Sequence, residues 1–320
     1  MLSASIALVG AFIYGAADFF GGRAARGLRS IVVTAVAALT GLVLLLALLP
    51  VMGGVWTPGD VAWGALSGVF GVIAIALLYA CLAIGPMSIL SPVTAVTAAI
   101  APMIWGLTIG GESLNSFGYA GLGIALVAVV LVGFIPGKKV VRPSGRGVLM
   151  AIGSGLAIGG FMISIDQTSA ASGLVPLVMN RVANASITVV IVLVLILVTT
   201  RRGRPLVSAL RVDGIEVGMT PTGHADLEHT RPAPAVAQRP TPHARFWLFA
   251  IICGVLDVAA NTMMLVALRL GDLSIVSALT ALYPSGTIIL AAIVLRERVA
   301  TVQWVGLGLA LAAGVLLALA

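Results

Sequence analysis

The chain has 320 residues, of which 60% are hydrophobic and only 9% charged; about a quarter are charged in an ordinary soluble domain. That much apolar surface could not be hidden from water in a chain of this size, which excludes a soluble globule. The formal charge of +7 would suit a nucleic-acid binder, but it is concentrated in turns between apolar runs, where it marks membrane topology instead.

With the bilayer as solvent, spanning backbone must satisfy its own hydrogen bonds, as helices or a closed barrel. The apolar runs are continuous and about 20 residues long, which fits helices rather than alternating barrel strands. Ten spans are predicted, at 3–22, 30–50, 61–83, 86–108, 116–135, 146–165, 174–199, 246–268, 272–294 and 302–319. Gly85-Pro86 and Gly271-Asp272 are the turns that divide two longer apolar stretches. The first run has no basic leader, so a retained helix is expected rather than a cleaved signal peptide. Cys81 and Cys253 fall inside spans and read as packing residues, with no disulfide or metal site implied. The connection 200–245 holds six prolines, all three histidines and mixed charge, and is expected to be disordered. His224 and His229 within it read as linker residues rather than metal ligands.

The segment from Gly85, GPMSILSPVTAVTAAIAPMIWGLTIGGESLNSFGYAGLGIALV, reappears from Gly271 as GDLSIVSALTALYPSGTIILAAIVLRERVATVQWVGLGLALA. Ser88, Ser91 and Thr94 align with Ser274, Ser277 and Thr280, Glu112 with Glu297, Tyr119 with Trp304, and Gly121/Gly123 with Gly306/Gly308. The chain is therefore read as an all-α integral membrane protein of ten transmembrane helices in two five-helix repeats, 1–135 and 146–320, joined by a basic loop at 136–145. Five spans per half invert the second half relative to the first, an arrangement in which the substrate site lies between the halves. Gly64/Gly68, Gly106/Gly110, Gly155/Gly159 and Gly121/Gly123 read as close helix contacts.

Sixteen of the 18 Lys and Arg lie in odd-numbered loops, among them Arg23, Arg26, Arg29, Lys138, Lys139, Arg201, Arg245 and Arg296. An excess of positive charge marks the cytoplasmic side, which puts these loops inside and both termini outside. Only Arg269 lies on the other face, and Arg181 lies within a span.

Asp257, mid-way along the eighth span, is the sharpest site candidate, because a carboxylate there needs a wet cavity, a partner or a proton. Asn261 lies one turn later on the same face. The equivalent positions of the first half are Gly71 and Ile75, so the polar pair belongs to one half only. Arg181, flanked by Asn180 and Asn184, can pair with Asp257, hold a substrate carboxylate or snorkel to the interface. Asp18 and Asp166 end the first and sixth spans; Asp18 is a candidate gate latch beside Arg23 and Arg26, or a solvated helix end. Pro92, Pro102 and Pro284 are expected to kink their helices. Tyr79, Trp105 and Tyr283 are candidate pocket aromatics or packing residues. No phosphate loop, nucleophile motif or HExxH appears, so neither a cofactor nor ATP-driven transport within the chain is expected.

The hairpin ends GESLNSFGYAGLGIALVAVVLV and RERVATVQWVGLGLALAAGVLL, with the opening YGAADFFGGRAAR, resemble the EamA-type transporters of the drug/metabolite transporter superfamily. In that family a Glu begins the turn before the last span of each repeat, here Glu112 and Glu297, and glycines follow. Both Glu read as turn and packing residues. Arg181 falls where many members have Arg, while the first half has Ala35 near the corresponding place. The resemblance implies ten helices in an inverted repeat, and export or exchange of small metabolites by alternating access. It also implies cytoplasmic termini, the reverse of what the charge count predicts.

The sequence thus points to a secondary exporter of a small organic metabolite or drug in the inner (plasma) membrane, with the small-molecule substrate and the lipid bilayer as its partners, no nucleic acid, and protons as a candidate coupling ion. A lipid-carrier flippase and a non-transporting receptor or structural subunit are the alternatives. An enzyme is not expected, since the spans supply few convergent catalytic groups.

Overall fold

Apolar runs of this length close their backbone hydrogen bonds within the segment, and the chain folds accordingly. The structure is a computed structural model that describes residues 2–84, 87–133, 144–203, 205–211, 243–294 and 300–320. Its helices are α1 (Leu2–Ala25), α2 (Ser30–Met52), α3 (Pro58–Ile84), α4 (Met87–Thr108), α5 (Ser116–Gly133), α6 (Gly145–Asp166), α7 (Val175–Arg201), the short α8 (Val207–Leu210), α9 (His243–Leu270), α10 (Leu273–Thr280), α11 (Pro284–Val294) and α12 (Thr301–Ala318). A 3₁₀ turn, Ala170–Ser172, precedes α7. Among the described residues nine segments are long and apolar enough to cross a membrane, counting Leu273–Val294 as one, and α4 adds the shorter apolar stretch Val93–Thr108.

Two boundaries move for local reasons. The third span starts at Pro58 rather than 61 because Thr57 caps it: its hydroxyl accepts from Asp60 N at 3.1 Å and donates to Asp60 Oδ2 at 2.6 Å. Pro58 opens the helix, where a missing N–H leaves no bond unmade. The ninth span is broken rather than kinked. Pro284 supplies no N–H and would crowd the carbonyl of Thr280, so Tyr283 N bonds Thr280 O at 3.0 Å and Leu282 N bonds Leu279 O at 3.1 Å, tightening the chain before α11 begins. Pro102, by contrast, sits inside an uninterrupted α4. The side chains of Pro92 and Tyr79 lie outside the described residues, as do Gly85, Pro86, Glu297 and most of the 136–145 loop.

The 200–245 connection is not disordered at its described ends. α7 runs to Arg201, α8 forms, and α9 begins at His243. Arg29 N donates to Leu210 O at 3.0 Å and Leu28 pairs with Arg211, so the α1–α2 turn satisfies backbone groups at the end of α8. Residues 212–242, with His224 and His229, lie outside the description.

Packing follows a two-fold pattern. α1 lies on α9 as α6 lies on α3; α3 meets α7 as α9 meets α2; α4 meets α6 as α11 meets α1. The contacts of α2 with α7 and of α5 with α12 map onto themselves. Exchanging the halves therefore reproduces the neighbours, as inverted five-helix repeats require.

Lipid supplies no hydrophobic drive between helices, so close approach of small residues has to hold the bundle together. At Gly64 an added Cβ would lie 2.7 Å from Pro176 O, and at Gly155 2.6 Å from Thr94 O. Gly121 seats Leu317 and its counterpart Gly306 seats Val132, whereas Gly123 and Gly308 meet nothing within 4 Å and are not contact residues. Gly106 and Gly110 also depart from the expected role. Gly106 faces the carboxylate of Glu112, and Gly110 faces the backbone of its own turn.

The ends of the helices away from the arginine-rich turns are tied across the halves. Ser3 Oγ donates to Ala267 O at 2.9 Å, Val55 N to Ala171 O at 2.9 Å, and Asn115 Nδ2 to Leu319 O at 3.2 Å. Asp60 and Glu112 bond the second half on the same face.

Candidate functional site

A cavity of about 200 Å³ lies at mid-span between the halves. α1, α2, α3 and α4 contribute walls from the first half, and α6, α7, α9, α10 and the Ala281–Tyr283 break from the second. Its surface is mostly apolar, with Ile75, Ile158, Phe161, Met162 and Met264 among the lining residues. Asp257 and Asn261 line it, and so do Gly71 and Ile75, their counterparts in the first half. The related positions thus face one space, polar from one half and apolar from the other.

The structure brings Arg181 and Asp257 together: Arg181 Nη2 donates to Asp257 Oδ2. The arginine side chain is 10% exposed and the aspartate 25%, so the carboxylate is the more open partner. Helix geometry carries the group further along α9, where Asn261 Nδ2 donates to Asp257 O at 2.7 Å. Asn261 Oδ1 accepts from the Tyr14 hydroxyl of α1 at 2.6 Å. On α7, Asn180 Nδ2 donates to Ser67 Oγ at 2.8 Å, and Ser67 in turn donates to Gly64 O at 2.6 Å. Gly41 leaves room beside the pair, since a Cβ there would lie 3.4 Å from Arg181 Cδ and 2.8 Å from Val258 Cγ2.

Three buried polar groups on the cavity wall have no hydrogen-bond partner among the described residues: Asn184 Oδ1, Thr280 Oγ1 and the Tyr283 hydroxyl. Tyr283 is 6% exposed. Such groups are expensive to bury unmatched and usually meet water or a ligand. Thr280 also shows how the repeat diverges: its counterpart Thr94 donates to Leu90 O and Ala151 O, each at 3.1 Å.

Two expected residues stand elsewhere. Asp18 is no solvated helix end, because α1 continues to Ala25 and the side chain lies buried on the cavity wall. Trp105 is not a pocket residue. It lies seven residues beyond Ala98, the α4 residue on the cavity wall, which is about 10 Å along the axis, and it packs against the main apolar core. Asp166, at the end of α6, bonds Gln167 at 3.2 Å and is outside the cavity. Tyr14, Thr280, Ser277 and Cys253 line the cavity without having been singled out for it. Tyr14 had a legible signal, a hydroxyl one turn before Asp18 on one helix face. Among the described residues no group of three His, Cys, Asp or Glu could hold a metal ion.

No curated protein matches the chain in sequence. One protein of known crystal structure superposes with a TM-score of 0.69, over 99% of this chain and 98% of its own, at 14% identity; such a likeness concerns the fold alone. The family model described as the EamA-like transporter family matches residues 1–134 and 232–319. The two-repeat helical fold and this match identify the chain as a membrane protein that belongs to the EamA-like transporter family.

Proposed function

We propose that the protein is a secondary transporter that exports a small organic metabolite or drug by alternating access, through the cavity between its halves. The observation that carries this reading is a mid-span cavity walled by both halves, apolar over most of its surface, with Arg181 and Asp257 joined on its wall. An apolar body would lie against Phe161, Met162 and Ile75, while Asn184, Thr280 and Tyr283 offer hydrogen bonds to its polar groups. The two-fold packing supports a rocking of one half against the other, because related helix contacts lie on both sides of the cavity. Asp257 is the proposed proton-exchanging group: it is the more open partner of the pair, so substrate or solvent can compete for it. Arg181 holds it in place and neutralises it between cycles. The proposed location is the inner (plasma) membrane, with the arginine-rich turns and the 200–245 connection cytoplasmic and the termini outside.

Thermal denaturation of the purified protein over a panel of metabolites and drugs tests the site. Ligand at a hundredfold excess over its Kd should stabilise the folded state by about 2.7 kcal/mol. The shift should vanish when Asp257→Asn and Arg181→Ala are combined. A shift that survives this double change would move the site elsewhere.

A further inference from the structure

Away from the arginine-rich turns, two carboxylates of the first half hold backbone amides of the second. Glu112, in the turn between α4 and α5, accepts from Leu273 N at 2.7 Å and Ser274 N at 3.1 Å, the first amides of α10. Asp60, in the first turn of α3, accepts from Ser169 N at 2.7 Å and Ser169 Oγ at 2.9 Å. Both acceptors are preset. Thr57 fixes Asp60, and Glu112 lies over Gly106, the only residue type whose lack of a Cβ leaves that seat open. Glu112 N also bonds Gly106 O at 3.0 Å.

These bonds reach elements that wall the cavity. α10 carries Ser277 and Thr280 of the cavity wall and ends at the Ala281–Tyr283 break. Its own N-cap residue, Asp272, makes no side-chain cap bond, so a carboxylate from the other half caps the helix instead. Ser169 belongs to the turn after α6, and that turn is stapled to the end of α9 by Arg269, which bonds Thr168 O and Thr168 Oγ1. The two carboxylates therefore grip α10, the end of α6 and, through Arg269, the end of α9. A carboxylate at a helix N-terminus makes strong charge-assisted bonds, yet at a membrane surface it exchanges them for water at modest net cost, which suits a reversible closure.

We propose that Asp60 and Glu112 are the gate residues of this face, a two-point latch that keeps the cavity shut from that side until both carboxylates release their amides. The proposal rests on the alternating-access reading, since a protein with one fixed opening needs no latch. Neither residue touches the cavity; each acts by positioning a helix end.

The test uses a reporter that needs no substrate. Met162→Cys places a thiol on the cavity wall one turn from the end of α6, in a full-length chain carrying Cys81→Ala and Cys253→Ala. Its labelling rate by a charged, membrane-impermeant methanethiosulfonate is measured separately from each side of the membrane. From the latch side, Glu112→Gln should raise the rate about tenfold, the population shift expected from losing one bond to a charged group, and Asp60→Asn/Glu112→Gln should raise it further. Asn115→Ala removes an inter-half bond on the same face that is not part of the latch and should leave the rate near its starting value. An unchanged rate in the double variant, or an equal rise in Asn115→Ala, overturns the latch. So does an equal rise from both sides, which reports general loosening. If no compound is transported while the labelling responds as described, the gate stands and the proposed cargo class falls.

Discussion

Replacing Arg181 by Met is expected to cost about 3 kcal/mol of stability, the lower end of the range for stranding one member of a buried ion pair. The lower end applies because Asp257 remains 25% exposed to the cavity and can draw on water. Asp257→Leu should cost a similar amount by stranding Arg181. The combination Arg181→Met/Asp257→Leu should recover most of the loss, because an apolar pair leaves neither charge buried alone. Apparent melting temperatures of the four proteins in one detergent give the coupling directly. Strict additivity of the two losses would mean that each side chain is stabilised by other partners, and that the pair is incidental. The double variant should nonetheless bind no substrate, which separates a pair kept for function from one kept for stability.

Gly15→Val is expected to leave no monodisperse folded protein. A Cβ at Gly15 would overlap Tyr283 O and lie 2.5 Å from Thr287 N and 2.7 Å from Gly286 Cα. All three are backbone atoms and cannot rotate aside. Thr287 Oγ1 also donates to Gly15 O at 3.0 Å, so separating α1 from α11 would break that bond as well. Overpacking a well-filled contact costs about 1–3 kcal/mol where side chains can adjust, and here the obstruction is main chain at the broken helix. Gly308→Val is the matched control, with nothing within 4 Å of the new carbon, and should extract and elute as the unmodified protein does. Size-exclusion profiles after detergent extraction decide it. A normal profile for Gly15→Val would show that α1 and the break are not in fixed contact.

What could be read from residues alone was whatever is periodic or local. Ten apolar runs, the repeated hairpin and the correspondence of Asp257 and Asn261 with Gly71 and Ile75 all rest on spacing along one chain. Depth and long-range partners do not. Asp18 looked terminal because Arg23 and Arg26 follow it, but α1 runs on through Gly21 and Gly22 to Ala25, against their low helix propensity, and leaves the carboxylate inside. Trp105 shares a helix face with Ala98 and differs only in height, which periodicity cannot register. The Thr57–Asp60 cap was legible as a Thr followed three residues on by an acid, and it shifts the start of α3. Glu112 was read as a turn residue. That is where it lies, but its amides belong to a helix more than a hundred residues later, a pairing that only the tertiary fold creates. The break at Pro284 was expected as a kink, since a lone proline in a sequence does not say whether the neighbouring turns will tighten or part.

Asp257 on the cavity wall is proposed to couple substrate movement to a proton. The most direct measurement reconstitutes the protein in liposomes holding a pH-sensitive dye and follows internal pH as a compound from the thermal panel is added. Wild type should move protons with the compound, while Asp257→Asn should bind and exchange it without any pH change. Undiminished proton movement in Asp257→Asn would contradict the account.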